Sequence, residues 1–215
     1  MNKRCQGHNN YYVTKSSPPS GQPETAFLRE GRRNPPPPQG VWQVSRGIVQ
    51  LYSVNRRGEE TVLGWAQPGN FFGSWFTNLR NLQARALSEV YLQWFSQPEL
   101  LENPLLCQQV LRESITRIRQ SEQLLVIASL KRVEHKLIRL LKLLAQYLGE
   151  KEETNAHTVI PVRITHQMMA SAIGTTRVTV TRLLGELQKK GIIAFNSQRY
   201  LVIYNSLLDA NVDEV

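Results

Sequence analysis

The apolar positions change period twice along the chain. Between Gly40 and Phe95 they fall in short runs of β-formers: Val41 and Val44, then Ile48, Val49, Leu51 and Tyr52, then "TVLGW". "NRRGEE" supplies a Gly-containing turn between two of these runs, and glycines recur at 47, 58, 64, 69 and 73, where strands end or turn corners. This spacing predicts a small barrel or roll of short antiparallel strands, with "RALSEVYLQWF", residues 85–95, as one further strand.

From residue 97 the period becomes helical. Pro104 suits the first turn of a helix, and Ile115, Ile118, Glu122, Leu125 and Ser129 follow at alternating three- and four-residue intervals. The expectation is one long helix over 104–150, ended by Gly149 and "EKEETNA". Its stripe packs either within its own chain or on a second copy, and the presence of Glu122 and Ser129 favours a paired, partly polar interface in a dimer. Residues 1–23 are polar and poor in aliphatics, so a disordered tail is expected there. Pro35–Pro38 favours a polyproline II connector, an SH3-type ligand being the other reading.

The stretch "ITHQMMASAIGTTRVTVTRLLGELQ", residues 164–188, combines helical spacing with a β-branched run. Thr165 is a candidate N-cap for a helix "HQMMASAI", and Gly174 stops that helix because glycine enters the left-handed region without steric cost. A second helix from Thr175 or Thr176 to Lys189 or Lys190 completes a helix-turn-helix, with Ala170 at the crossing and Ile173, Val180 and Leu183 in the shared core. An ordinary helical hairpin would use the same small and aliphatic residues. It would not place Thr175, Thr176, Arg177, Val178, Thr179, Thr181 and Arg182 on a solvated face, where Glu, Lys and Ala form helix better. In a DNA groove these residues make sense: Arg bonds guanine O6 and N7, a Val or Thr methyl meets the thymine methyl, and hydroxyls reach phosphates. Beyond Gly191, "IIAFNSQRYLVIYN" predicts a two-stranded wing whose turn, with Arg199, either touches phosphate or is simply solvated; "VIPVRIT" is expected as another strand.

Charge supports this picture. The chain of 215 residues carries 26 Lys and Arg against 17 Asp and Glu, a net +9, which attracts polyanions. Its length allows one or two domains. No apolar run approaches the roughly 18 residues of a membrane helix, and the first residues lack the apolar segment of a secretory signal, so a soluble cytoplasmic protein is expected. Cys5 and Cys107 make neither a disulfide framework nor a metal set, and Cys107 is expected as a small buried hydrophobe. The four histidines are too scattered for a metal motif, and no catalytic constellation stands out, so no metal, no cofactor and no enzyme activity are expected.

The order of β-roll, long helix and C-terminal winged helix, together with "ITHQMMASAIGTTRVTVTRLLGELQKKGII", resembles the cyclic-AMP receptor and fumarate–nitrate regulator superfamily of bacterial transcription factors. "GTTRVTVTRLLGEL" is most similar to the cyanobacterial global nitrogen regulators of the NtcA type. The resemblance, over residues 40–205, implies an α+β fold: an antiparallel β-roll of the cyclic-nucleotide-binding kind, reduced at its start, a dimerisation helix and a winged helix-turn-helix. The corresponding division is a tail at 1–23, a sensor roll at 24–103, the helix at 104–150 and the DNA-binding domain at 151–215. It further implies that Arg177, Val178 and Arg182 read bases, that Thr165, Gln167, Thr176 and Thr179 contact phosphate, and that a homodimer binds a palindromic site in double-stranded DNA with RNA polymerase as a further partner. For a small anionic effector such as 2-oxoglutarate it implies Phe72, Gly73, Ser74 and Trp75 of "FFGSW", Arg117 and Glu122 of "TRIRQSE", and Arg80 or Arg85 from the roll. Ser74 stands where the family's ribose-binding Glu would be, which disfavours cyclic AMP. An ion pair between Arg117 and Glu122 in a regulator without effector, and a non-specific architectural DNA binder, are the competing readings.

Overall fold

Strong β-formers separated by glycine corners produce two antiparallel sheets, seen in a computed structural model that describes residues 25–28, 33–34, 40–151 and 157–209. The tail and the Pro35–Pro38 connector lie outside the described residues. Eight strands form the roll: β1 (Thr25–Leu28), β2 (Arg33–Asn34), β3 (Gly40–Arg46), β4 (Val49–Val54), β5 (Glu60–Ala66), β6 (Phe71–Phe72), β7 (Leu82–Ala86) and β8 (Val90–Ser96). Their order is β1-β8-β3-β6 in one sheet and β2-β7-β4-β5 in the other. Trp42, Val44, Leu51, Phe72, Ala84 and Leu92 fill the space between the sheets.

Two expectations about these strands need correction. Strands already occur at 25–28 and 33–34, ahead of the run that begins at Gly40. The single strand expected over 85–95 is two, β7 and β8, joined at Leu87–Glu89, where the Ser88 hydroxyl accepts from the Ile48 amide at 3.1 Å. That turn contains neither Gly nor Pro, so no local signal marked it.

A short helix α1 (Gln97–Glu102) leads into α2 (Pro104–Ser129), which Asn103 caps through its side chain. The helix expected over 104–150 is broken: Leu130 is extended, and α3 (Val133–Leu148) starts afresh after Arg132. No Gly or Pro stands at the break. Its cause is packing, because the two helices bury differently placed stripes. On α2 the roll-facing side holds Val110, Gln120, Leu124 and Ile127, whereas α3 buries Leu137, Ile138, Leu140, Leu141, Leu143, Leu144 and Leu148. One straight helix cannot satisfy both surfaces. Cys107, expected to be buried, is exposed on α2, on a face that the roll does not cover.

The C-terminal part continues with β9 (Glu150–Lys151), β10 (His157–Val159), α4 (His166–Ile173), α5 (Arg177–Lys189), β11 (Ile193–Phe195), β12 (Leu201–Tyr204) and α6 (Asn205–Asp209). Its sheet runs β11-β12-β10-β9. The strand expected over "VIPVRIT" ends at Val159, because Pro161 has no amide to continue a ladder. A single apolar core joins α3, α4, α5 and the wing to Val62, Trp65 and Leu87 of the roll and to Leu124 and Ile127 of α2.

The roll is tied to α2 by hydrogen bonds from Asn70 to the Glu113 carboxylate and from Ser121 to the Leu63 carbonyl, and by a fully buried one at Gln120. A bulge at Leu63 shifts the β4–β5 register, so that Leu51 faces Gly64 and Tyr52 faces Val62. The Trp65 amide then donates to the Gln120 side-chain oxygen at 2.7 Å. Gly64 is required beside it: its φ is +136°, and a Cβ there would lie 2.0 Å from that oxygen. Gln120→Ala, which strands the buried Trp65 amide, is expected to lower unfolding free energy by about 1–3 kcal/mol in urea titrations; a loss below about 0.5 kcal/mol would show that the contact does not matter to stability.

Candidate nucleic-acid interface

Each end of the helix-turn-helix is set by local chemistry. The Thr165 hydroxyl accepts from the Met168 amide at 3.1 Å and starts α4; Gly174, at φ 65° and ψ 48°, ends it, its amide returning to the Ala170 carbonyl. The Thr176 hydroxyl then accepts from the Thr179 amide at 3.2 Å and starts α5. Ala170, Ile173, Val180 and Leu183 are buried at the crossing.

Burying Val180, Leu183, Leu184 and Leu187 forces the other side of α5 outward. Arg177, Val178, Thr181 and Arg182 are exposed there, Val178 at 77%. An apolar side chain so open on the first turn of a helix suits a groove more than water. Thr176 is exposed and Thr179 half-buried, their hydroxyls 2.9 Å apart, and Thr165 and Gln167 are exposed at the start of α4. These seven candidate positions are exposed or half-buried on α5, at its N-cap and at the start of α4, with Arg177 and Arg182 about 140° apart around the helix. Arg182 is held by Glu186, four residues on, at 2.5 Å, an exposed pair that water and salt weaken. A base edge would compete for that guanidinium.

Two basic residues, Arg163 and Arg199, and a histidine, His166, adjoin Arg177; of these the sequence pointed only to Arg199 as a DNA contact. Arg163, Thr165, His166, Gln167, Arg177, Phe195 and Arg199 line one cleft between α4, α5 and the wing. Arg199 sits in the wing turn at φ 61°, a left-handed position held by its amide donating to the Asn196 carbonyl. Arg163 could have been suspected only from its place two residues before the N-cap.

His166 joins the pieces. Its Nδ1 lies 2.8 Å from the Thr181 hydroxyl, which donates to the Arg177 carbonyl at 2.9 Å. With the hydroxyl proton so placed, Nδ1 is the donor and Nε2 is bare in the neutral ring. Burial, and then the charge of Arg177, lower the His166 pKa below the ordinary histidine value.

The effector candidates are not gathered in the same way. Phe72 has its side chain in the roll core, paired across from Trp42. Gly73 is packed against the Gly40 carbonyl, 2.6 Å from where a Cβ would be, while Ser74 and Trp75 form a one-turn 3-10 helix with Trp75 partly exposed. Arg80 is exposed in the turn before β7. Arg85 is engaged by Glu60 at 2.5 Å and stacks over Tyr52 at 4.5 Å. Arg117 is half-buried, and desolvation lowers its pKa. Five residues along a helix is about 140° of rotation, so Glu122 faces outward from a different side of α2 and makes no ion pair with Arg117 among the described residues.

A β-roll joined through helices to a winged helix-turn-helix, with Arg and β-branched residues open on its second helix, defines a DNA-binding regulator. A model of the Crp-like helix-turn-helix domain matches residues 131–206. The chain is 30% identical over 197 residues, 90% of each protein, to the regulatory protein CysR of Synechococcus elongatus. It is 31% identical over 175 residues to the global nitrogen regulator of that organism, covering 77% of this chain and 78% of the relative. Among solved structures, a CRP/FNR-family transcriptional regulator from Thermus thermophilus superposes with a TM-score of 0.67 at 24% identity, over 87% of this chain and 99% of that one. A cyclic nucleotide-binding domain containing protein from Listeria monocytogenes gives 0.72 at 16% identity, over 86% and 91%. The chain belongs to the CRP/FNR family and is a DNA-binding transcription regulator of that type.

The lowered His166 pKa carries a pH dependence. As pH falls through about 6.5 the unfolded chain takes up a proton at this residue and the folded chain does not, so this contribution lowers stability progressively below that pH and vanishes above it. Replacing His166→Gln is expected to flatten the fall in melting temperature between pH 7 and pH 5; an unchanged slope would show that the residue titrates normally in the fold.

Proposed function

We propose that the protein reads a two-fold symmetric DNA site as a homodimer, with Arg177, Val178 and Arg182 on base edges and Thr165, Gln167, Thr176 and Thr179 on phosphates. The observation that carries this is the outward face of α5, where arginines flank a 77%-exposed valine over a buried Val180. Arg donors suit guanine and the Val178 methyls suit thymine. RNA polymerase is the partner through which binding in the cytoplasm would change transcription.

Dimerisation is supported by α2. Leu111, Ile115, Ile118 and Leu125 are 63%, 43%, 57% and 70% exposed and, with Glu122 and Ser129, follow a heptad stripe. A helix of 26 residues is about 39 Å long, enough for a stable parallel pair. Such a pair would set the two α5 helices about 34 Å apart, one turn of DNA. The units are then a sensor roll at 24–103, a dimer helix ending at Ser129 and a DNA-binding unit that takes in α3 as well as residues 151–215.

A small dicarboxylate such as 2-oxoglutarate is the effector this arrangement best accommodates. Arg117 is desolvated on the roll-facing side of α2 without an acidic partner among the described residues, and a bound carboxylate would supply the missing charge. Backbone amides of Gly73–Trp75 and the nearer of Arg80 and Arg85 would complete the set, whereas Glu122 reaches it only from a second copy across the seam.

Arg177→Ala and Arg182→Ala should each cost about 1–3 kcal/mol of discrimination at one base position, measured by titrating single-base variants of a bound site. Unchanged preference in both would remove them as base readers. Ile118→Asp should yield a monomer in sedimentation at micromolar concentration; a persistent dimer would place the interface elsewhere.

A further inference from the structure

We propose that the β4–β5 hairpin is a second DNA contact in each chain, with Arg57, and Arg56 beside it, binding backbone phosphates that flank the sequence read by α5. The proposal rests on the DNA-facing orientation of α5 argued above.

The hairpin tip is built to present these two arginines. Asn55 accepts from the Arg57 and Glu59 amides through its side-chain oxygen, at 2.9 and 3.0 Å, and its own amide donates to the Glu59 carbonyl. Gly58 takes the left-handed corner at φ 80°. Both acids next to the tip are engaged by other residues. The Glu59 carboxylate accepts from the Asn55 side chain at 2.6 Å, and that of Glu60 is paired with Arg85 at 2.5 Å. Arg56 and Arg57 are exposed and have no ion pair among the described residues. Two adjacent exposed cations against the single charge of Glu59 leave this rigid turn net positive, which suits a polyanion.

Their location indicates which polyanion. Arg57 lines a cleft of about 1110 Å³ whose opposite wall holds Arg163, Thr165, Gln167 and Thr175, the side of the helix-turn-helix on which the phosphate-directed residues lie. The hairpin does not move independently of that wall. Val62 and Trp65 of β5 share one apolar core with Met168, Ala170 and Ile173 of α4. A backbone that runs past Thr165 and Gln167 and continues outward therefore meets Arg163 and then the tip. Phosphate contacts of this kind add affinity and salt dependence without reading sequence.

The test uses the full-length protein on two duplexes containing the same bound site, one with about ten base pairs of flank on each side and one with none. Arg57→Ala should weaken binding to the long duplex roughly three- to tenfold and lower the salt slope by about two, one phosphate per chain of the dimer. It should leave the short duplex and the base preference unchanged, and Arg57→Lys should restore the long-duplex affinity. Equal affinity and slope on the long duplex would overturn the proposal. So would a loss of transcription by RNA polymerase with DNA affinity intact, which would make the tip a protein contact, or a loss equal on both duplexes. If the unmodified protein showed no base preference, the reading of α5 would fail by itself, while the dependence on flank length would still decide the hairpin.

Discussion

One apolar core decides what the charged surface can do. It runs from Trp65 and Val62 in the roll through Leu124 and Ile127 of α2 and the leucines of α3 to Met169, Val180 and Leu183 in the helix-turn-helix. Interiors are close-packed, so α5 cannot rotate its outer face without emptying positions in this core. Arg177, Val178 and Arg182 are thereby held outward from the core of the helix-turn-helix. Any signal from the roll has to move the DNA-binding part as a body, by shifting helices against one another rather than by reshaping α5.

The contact best placed to carry such a shift is that between Gln120 and the Trp65 amide. It joins the bulged strand β5 to α2 at a buried point where a glycine leaves room for it. On the other side of α2, the stripe from Leu111 to Leu125 stays open. The same helix thus carries the roll on one face and, on another, the open apolar stripe that the proposed homodimer would use. Displacement of β5 would be felt at both.

Much of this was legible in the sequence where the signal is local. Thr165, Gly174 and Val180 each have a stereochemical role that needs no knowledge of the rest of the fold, and the two helices fall where those residues place them. The apolar stripe left exposed on α2 could be read for a similar reason, from spacing alone. What escaped depends on distant packing. The break at 130–132 has no breaker residue, and the turn between β7 and β8 is held by Ser88 reaching Ile48. His166 and Arg163 join Arg177 in one cleft only because α4, α5 and the wing converge there. For the effector residues, spacing along the chain concealed that Arg117 and Glu122 point to different sides of α2 and that Phe72 belongs to the roll core.

The central claim is that this face of α5 reads sequence as one of a symmetric pair. Selection of bound duplexes from a random pool, by the full-length protein at physiological salt, tests it most directly. A symmetric pair of α5 helices should enrich a palindrome whose half-sites are centred about one helical turn, roughly 34 Å, apart. Recovery of duplexes with no common sequence, bound as tightly as random DNA, would contradict it.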